Sequence, residues 1–152
     1  MRKIIIFLIL FCFSSGVFAG TNQLYKLNGD SLSYEELISA PKTVLFIWAA
    51  WCPSCKAEFK RLSQECSNFE GVKIIYVNAG EPKSKIEDFI KSNGTKDCAK
   101  EKVVLDPELI LSRKFSIFAI PAFIIIKDGK VVHKSYFINQ ELIDTVFKSE
   151  KF

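Results

Sequence analysis

The chain has 152 residues, 49% of them hydrophobic and 25% charged. That is enough for one domain with its own core and too little for two, and the balance excludes a disordered chain or a repeat array. A formal charge of +4, from 21 basic against 17 acidic residues, gives no strongly basic surface of the kind that binds nucleic acid or an anionic membrane.

Arg2 and Lys3 form a short positive segment, Ile4 to Phe13 is an unbroken apolar run, and Val17-Phe18-Ala19 ends in a small residue. This pattern predicts a secretory signal peptide over residues 1–19, cleaved after Ala19, followed by one domain over 20–152. The alternative is an uncleaved N-terminal membrane anchor, although the apolar run is shorter than the roughly 20 residues a spanning helix needs. Cys12 follows bulky Phe11, which disfavours lipid attachment, and leaves with the signal. The mature protein is therefore expected outside the cytoplasm, in a bacterial periplasm or equivalent space, where disulfides persist. Five cysteines become four: Cys52, Cys55, Cys66 and Cys98, an even number that suits two disulfides. Loss of Arg2 and Lys3 leaves 19 basic against 17 acidic residues, a charge of +2.

The mature chain opens with a predicted hairpin: Leu24 to Leu27, a turn at Asn28-Gly29-Asp30, and a second arm over Ser31 to Ser33, because Asn and Gly tolerate positive φ. Tyr34 to Ile38 is expected to form one helical turn capped by Ser33. Thr43 to Trp48 is continuously apolar, the mark of a strand buried on both faces. A helix follows from Pro53 to about Phe69, with Cys55, Phe59, Leu62, Cys66 and Phe69 on one face. Val72 to Val77 is the next strand, so a parallel crossover is expected. Pro82 starts a second helix ending at Asn93-Gly94. Lys96 to Lys102 reads as a polar loop holding Cys98, and Val103 to Leu105 as a short strand. Asp106-Pro107 predicts a cap and first turn for a helix running to Phe115. Pro121 opens a strongly apolar strand running to Ile126, Val131 to Phe137 pairs back across a turn at Lys127-Asp128-Gly129-Lys130, and Gln140 to Lys148 is a last amphipathic helix. The sum is an α/β fold with a central mixed β-sheet flanked by helices.

The chemistry concentrates at Cys52-Pro53-Ser54-Cys55. Only the thiolate attacks a disulfide. Cys52 stands at a helix cap, where its sulfur can accept the N–H of Cys55 and the helix dipole favours the anion. Pro53 suits the first helical position because it has no N–H to leave unpaired. Cys52 is therefore assigned as the nucleophile and Cys55, one turn inside, as the resolving thiol of a mixed-disulfide exchange. Three other readings are half of a zinc site, a permanently closed structural disulfide, and a pair of buried inert cysteines, for which a helix start is a poor place. Zinc lacks a second paired spacing, and His133 is the one histidine. His133 reads as a surface residue, and no metal site is expected.

The stretch Trp48-Ala49-Ala50-Trp51-Cys52-Pro53-Ser54-Cys55-Lys56-Ala57-Glu58 resembles the active site of the thioredoxin superfamily, in its secreted TlpA/ResA-like branch, which includes the cytochrome c maturation reductases. The resemblance extends to the hairpin with Asn28-Gly29, to Leu105-Asp106-Pro107, and to Ile120-Pro121 before Phe123-Ile124-Ile125-Ile126. It implies a thioredoxin-like fold with an N-terminal β-hairpin and a cis bond before Pro121, which would lie against the two cysteines. It implies that Trp51, Pro53, Ser54, Ile120 and Pro121 contact substrate. It also gives Glu58, one turn after Cys55, a role in taking and returning the Cys55 proton; the alternative is a solvated acid paired with Arg61. Thioredoxin itself has a buried acid on the preceding strand, where this chain has Phe46. Ser54 replaces a proline found in many relatives, so the resemblance does not carry a redox poise. Cys66 and Cys98 are expected to pair in an oxidising compartment, the alternative for Cys66 being a small core residue.

The function so implied is extracytoplasmic thiol–disulfide exchange, in the direction of reducing protein disulfides. No cofactor beyond the Cys52–Cys55 couple is expected, and no flavin or nucleotide motif is seen. Electrons would come from a membrane thiol transporter of the DsbD/CcdA type, and nothing demands more than a monomer. The alternatives are a disulfide oxidase or isomerase, and a non-catalytic thioredoxin-like binding module.

Overall fold

A computed structural model describes residues 23–65 and 69–148. The elements run β1 (Leu24–Lys26), β2 (Ser31–Leu32), α1 (Tyr34–Leu37), β3 (Lys42–Trp48), α2 (Pro53–Glu65), β4 (Lys73–Ala79), α3 (Lys83–Ser92), α4 (Asp97–Lys100), β5 (Val103–Asp106), α5 (Ile110–Lys114), β6 (Ala122–Lys127), β7 (Lys130–Ser135) and α6 (Gln140–Lys148). The strands form one sheet in the order β2-β1-β5-β4-β3-β6-β7. β3, β4 and β5 are parallel, and the other pairings are antiparallel. The helices α2 and α3 supply the crossovers that parallel neighbours require.

β3 lies inside the sheet, and its residues from Val44 to Trp48 are fully buried. The two-residue period of a strand sends them to opposite faces. Val44, Phe46 and Trp48 join a core with Phe59 and Leu62 of α2, Ile86, Phe89 and Ile90 of α3, and Ile143 and Phe147 of α6. Leu45 and Ile47 join a second core with Leu37 of α1 and Leu111 of α5. A continuous apolar run is what a strand covered on both faces needs.

Ser33 caps α1 reciprocally: its hydroxyl accepts the Glu36 N–H, and its own N–H donates to the Glu36 carboxylate. The Glu36 carboxyl is held below its ordinary value by these bonds. Gly29, at φ 97°, makes the hairpin turn that the Asn-Gly pair predicts.

The structure corrects the sequence reading in several places. The polar loop around Cys98 contains a helical turn, α4, with Asp97 in its first turn and Lys100 in its last, which matches the helix dipole. α5 starts at Ile110, not Pro107, because the chain first turns through Leu109 in a left-handed conformation. Leu109 takes the cap position that the sequence assigns to Asp106, and Asp106 supplies acceptors from outside the helix. Its carboxylate reaches past that turn to accept the N–H groups of Ile110 at 2.7 Å and Leu111 at 2.9 Å. Burial raises its carboxyl above the ordinary value, with those amide bonds acting the other way. Pro82 caps α3 from outside the helix, and β7 ends at Ser135, leaving Tyr136 and Phe137 exposed beyond it. The predicted signal peptide and Cys66 lie outside the described residues, as does the reach of α2 beyond Glu65. Phe69 is buried in the core after the helix.

Candidate active site

The register of the sheet brings two distant stretches together. β6 runs antiparallel to β3 with Ala122 opposite Ile47, so Pro121 arrives beside the end of β3, where the chain leaves for α2. The Ile120–Pro121 bond is cis. The carbonyl oxygen of Ile120 lies 3.9 Å from the Cys52 sulfur. Trp51, Cys52 and Ile120 thus share one end of the sheet, with Trp51 68% exposed and Cys52 nearly buried.

Cys52 and Cys55 form a disulfide. The backbone explains the placement. Cys52 donates its N–H to Ala49 at 3.2 Å, and its carbonyl accepts the Lys56 N–H at 3.0 Å, opening α2. The Cys52 sulfur accepts the Cys55 N–H at 3.2 Å, so one of the four free donors at the helix start points at sulfur. The Ser54 hydroxyl donates to the same sulfur at 3.3 Å. A proline at that position would have no donor to offer, and nothing in the spacing of the sequence predicts this contact. Cys55 is completely buried, Pro53 and Ser54 are exposed, and Ile120 and Pro121 are half-buried. The Cys52–Cys55 pair therefore has an outer sulfur near the surface and an inner one in the core.

Glu58 is bonded to Arg61 through both carboxylate oxygens, with Nε at 3.0 Å. Arg61 also donates to the Ile138 carbonyl at 3.0 Å, which ties α2 to the segment before α6. Phe46, where thioredoxin has an acid, is stacked on Phe123 with ring centroids 5.0 Å apart. Cys98, in α4, is half of a disulfide, and the expected Cys66–Cys98 link involves a residue outside the description. His133 is exposed on β7. Among the described residues, no group of three or more His, Cys, Asp or Glu side chains is placed to hold a metal ion.

Glu81 was not found from the sequence. Its carboxylate accepts the N–H of Ala50 at 2.6 Å, in the loop that leads to Cys52. The signal was present as Gly80-Glu81-Pro82 after a buried strand, but nothing in it says which loop the acid meets.

The AhpC/TSA family pattern matches residues 18–134. The chain belongs to the AhpC/TSA family. It is 32% identical to thiol-disulfide oxidoreductase ResA of Bacillus subtilis (strain 168) over 122 residues, 78% of this chain and 65% of that protein. The chain thus spans just under two thirds of that relative. It is also similar to the crystal structure of StoA from Bacillus subtilis, at 24% identity and TM-score 0.62, over 82% of this chain and 94% of that one. A secreted disulfide oxidoreductase of Mycobacterium tuberculosis matches at 18% identity and TM-score 0.64, over 83% and 94%. These structures share the thioredoxin-like arrangement of a mixed sheet flanked by helices. Among the described residues, no helix is long and apolar enough to cross a membrane.

Proposed function

We propose that this protein is an extracytoplasmic thiol–disulfide oxidoreductase that reduces protein disulfides. The observation that carries the reading is the Cys52–Cys55 disulfide at the start of α2, with the outer sulfur accepting the Cys55 N–H. In the reduced protein the same N–H and the Ser54 hydroxyl would stabilise a Cys52 thiolate. The thiolate attacks one sulfur of a substrate disulfide, forms a mixed disulfide and expels a substrate thiolate. Cys55 then loses its proton and attacks the Cys52 sulfur. The second substrate thiolate leaves, and the pair closes. Two electrons pass from the protein to the substrate. A membrane thiol transporter would restore the dithiol from the far side of the membrane. Trp51, Pro53, Ser54, Ile120 and Pro121 would form the substrate contact face, a role supported by their position around Cys52.

Glu58 belongs to the same proposal. It follows Cys55 by three residues on α2, a spacing that puts two side chains on one helical face. Both of its oxygens are bonded to partly exposed Arg61, and each oxygen keeps a further lone pair that can accept the proton when Cys55 attacks. Glu58→Gln is expected to slow disulfide reduction several-fold while leaving the melting temperature nearly unchanged. Rates equal to wild type across the pH range would remove Glu58 from the mechanism.

A Cys66–Cys98 disulfide would hold α4 against the far end of α2. Its support is the disulfide state of Cys98 and a bond from the Lys96 ammonium to the Gln64 carbonyl. In the chain-entropy model such a link contributes about 3–4 kcal/mol. One experiment addresses both pairs: the reduction potential of purified protein, with thiol states in cells trapped by alkylation and read by mass spectrometry. The reductase reading expects a low potential, Cys52 and Cys55 reduced in cells, and Cys66 and Cys98 unavailable to alkylation. A high potential with a persistent Cys52–Cys55 disulfide would reverse the direction, and free Cys66 and Cys98 would remove the second link.

A further inference from the structure

The turn that delivers Cys52 to α2 is held from the neighbouring strand by a carboxylate. β3 and β4 end side by side, with Trp48 opposite Asn78. Just beyond, Gly80 adopts φ 77°, and its N–H donates to the Asp106 carbonyl at 3.0 Å. A Cβ on Gly80 would lie 3.2 Å from the Leu109 side chain, so both the space and the left-handed backbone favour glycine. This turn brings Glu81 back to the end of β3. One carboxylate oxygen, Oε2, accepts both the Ala50 N–H at 2.6 Å and the amide of fully buried Asn78 at 2.8 Å. The Glu81 N–H donates to Asn78 Oδ1 at 3.2 Å, so Asn78 grips the residue at both ends. The next residue back, Ala49, accepts the Cys52 N–H. Ala49 and Ala50 are the two points at which the nucleophile's turn is fixed.

Both donors to Glu81 are neutral, and among the described residues it makes no ion pair. Lys26 of β1 and Lys83 of α3 line a shallow cleft with it, and Lys83 is paired with Glu87 at 3.5 Å. Lys56 of α2 is exposed. Ala50 and Cys52 are two peptide units apart, so their Cα atoms are at most about 7.6 Å apart. With the 2.6 Å bond from Ala50 to the carboxylate and the reach of the Cys52 side chain included, the two charges stand on the order of 10 Å apart, about one Debye length at ordinary salt. An anion at this range disfavours the Cys52 thiolate. A less stable reduced form makes the pair a stronger reductant.

We propose that Glu81 is a positioning residue of the dithiol site, fixing the Ala49–Cys52 turn and, by its charge, making the Cys52–Cys55 pair more reducing. The inference rests on the functional reading above. The test is equilibration with glutathione: the protein dithiol and glutathione disulfide give the protein disulfide and two glutathione thiols. Because a single oxygen takes both hydrogen bonds, the carbonyl of Glu81→Gln can replace it, and only the charge is lost. The equilibrium constant for this oxidation is expected to fall about three- to tenfold in Glu81→Gln, from the Coulomb energy at this separation and an intermediate dielectric. Alkylation of reduced Cys52 at neutral pH should speed up, with the melting temperature unchanged. Glu81→Ala also removes the acceptor, so it should show the same fall in the constant and a loss of kcat/KM that the glutamine variant lacks. An equilibrium constant within twofold of wild type in Glu81→Gln overturns the charge role. Equal kcat/KM in the two variants overturns the positioning role. Should the glutamine variant not fold, Glu81→Asp replaces it: retention of the wild-type constant in Asp and its fall in Ala is the expected pattern, and a fall in both overturns it. A wild-type pair that never equilibrates with glutathione overturns the functional reading and this inference together, whereas an unchanged constant overturns this inference alone.

Discussion

Cys52→Ser is expected to abolish disulfide reduction, lowering the rate by ~10³-fold or more, the scale seen when a covalent nucleophile is removed. Serine keeps the size of the side chain and an acceptor for the Cys55 N–H that now bonds the sulfur. The fold should survive, and the loss should be purely chemical. Cys55→Ser separates the two thiols. Cys52 can still attack, but nothing on α2 can release the substrate, so the mixed disulfide accumulates. On a non-reducing gel, a target-linked adduct should appear with Cys55→Ser and vanish in the double variant. A Cys52→Ser protein that still turns over, or adduct formation through Cys55 in its place, would reverse the assignment of roles. The burial pattern sets that expectation: Cys52 lies 3.9 Å from the Ile120 carbonyl at the site surface, whereas Cys55 is completely enclosed.

Phe59→Ala should cost about 3–5 kcal/mol, the usual range for removing a fully buried aromatic side chain. Phe59 is 1% exposed. Its ring centroid lies 4.5 Å from that of Trp48, 4.9 Å from Tyr76 and 5.2 Å from Phe89. One side chain therefore joins the active-site helix to two central strands and to α3. No single neighbour can collapse into the space without leaving another, so the cavity term should be large. For a chain of this size the melting temperature should drop by roughly 10 °C. Phe118→Ala is the control: at 91% exposed, it should change stability by less than about 0.5 kcal/mol. A melting temperature for Phe59→Ala within two or three degrees of wild type would refute this account of the core. Because Phe59 is on α2, one turn beyond Cys55, the variant should also exchange disulfides more slowly well below its melting temperature.

Much of the architecture was legible because the signals were local. The unbroken run Thr43 to Trp48 announced a strand covered on both faces, and β3 is buried throughout that run. Asn28-Gly29 announced a turn, and Gly29 has the positive φ that turn requires. The helix start at Cys52-Pro53 announced a sulfur cap, and the Cys55 N–H meets it. The misreadings occurred where a local signal was met by a different partner. Asp106 reads as a cap for the residues next to it, but its carboxylate accepts the N–H groups four and five residues on, because Leu109 takes a left-handed turn between them. The Cys98 segment reads as a polar loop because a four-residue helix is too short to show a period.

The sequence by itself determined the Cys52–Cys55 pair, the helix that presents it, and the α/β class, since each depends on spacing and residue type within a few positions. Only the tertiary structure decided which distant groups surround that pair. The antiparallel register of β6 against β3 brought Ile120 to Cys52. The parallel pairing of β3 with β4 brought Glu81 to Ala50. A hydrogen bond between residues 31 positions apart in the chain leaves no trace in the spacing of either. It exists because two strands end side by side, and a buried Asn78 and a left-handed Gly80 turn one loop toward the other. The first stretch of sequence places Cys52 at the helix start; the neighbouring strand supplies the carboxylate that bonds the loop before it.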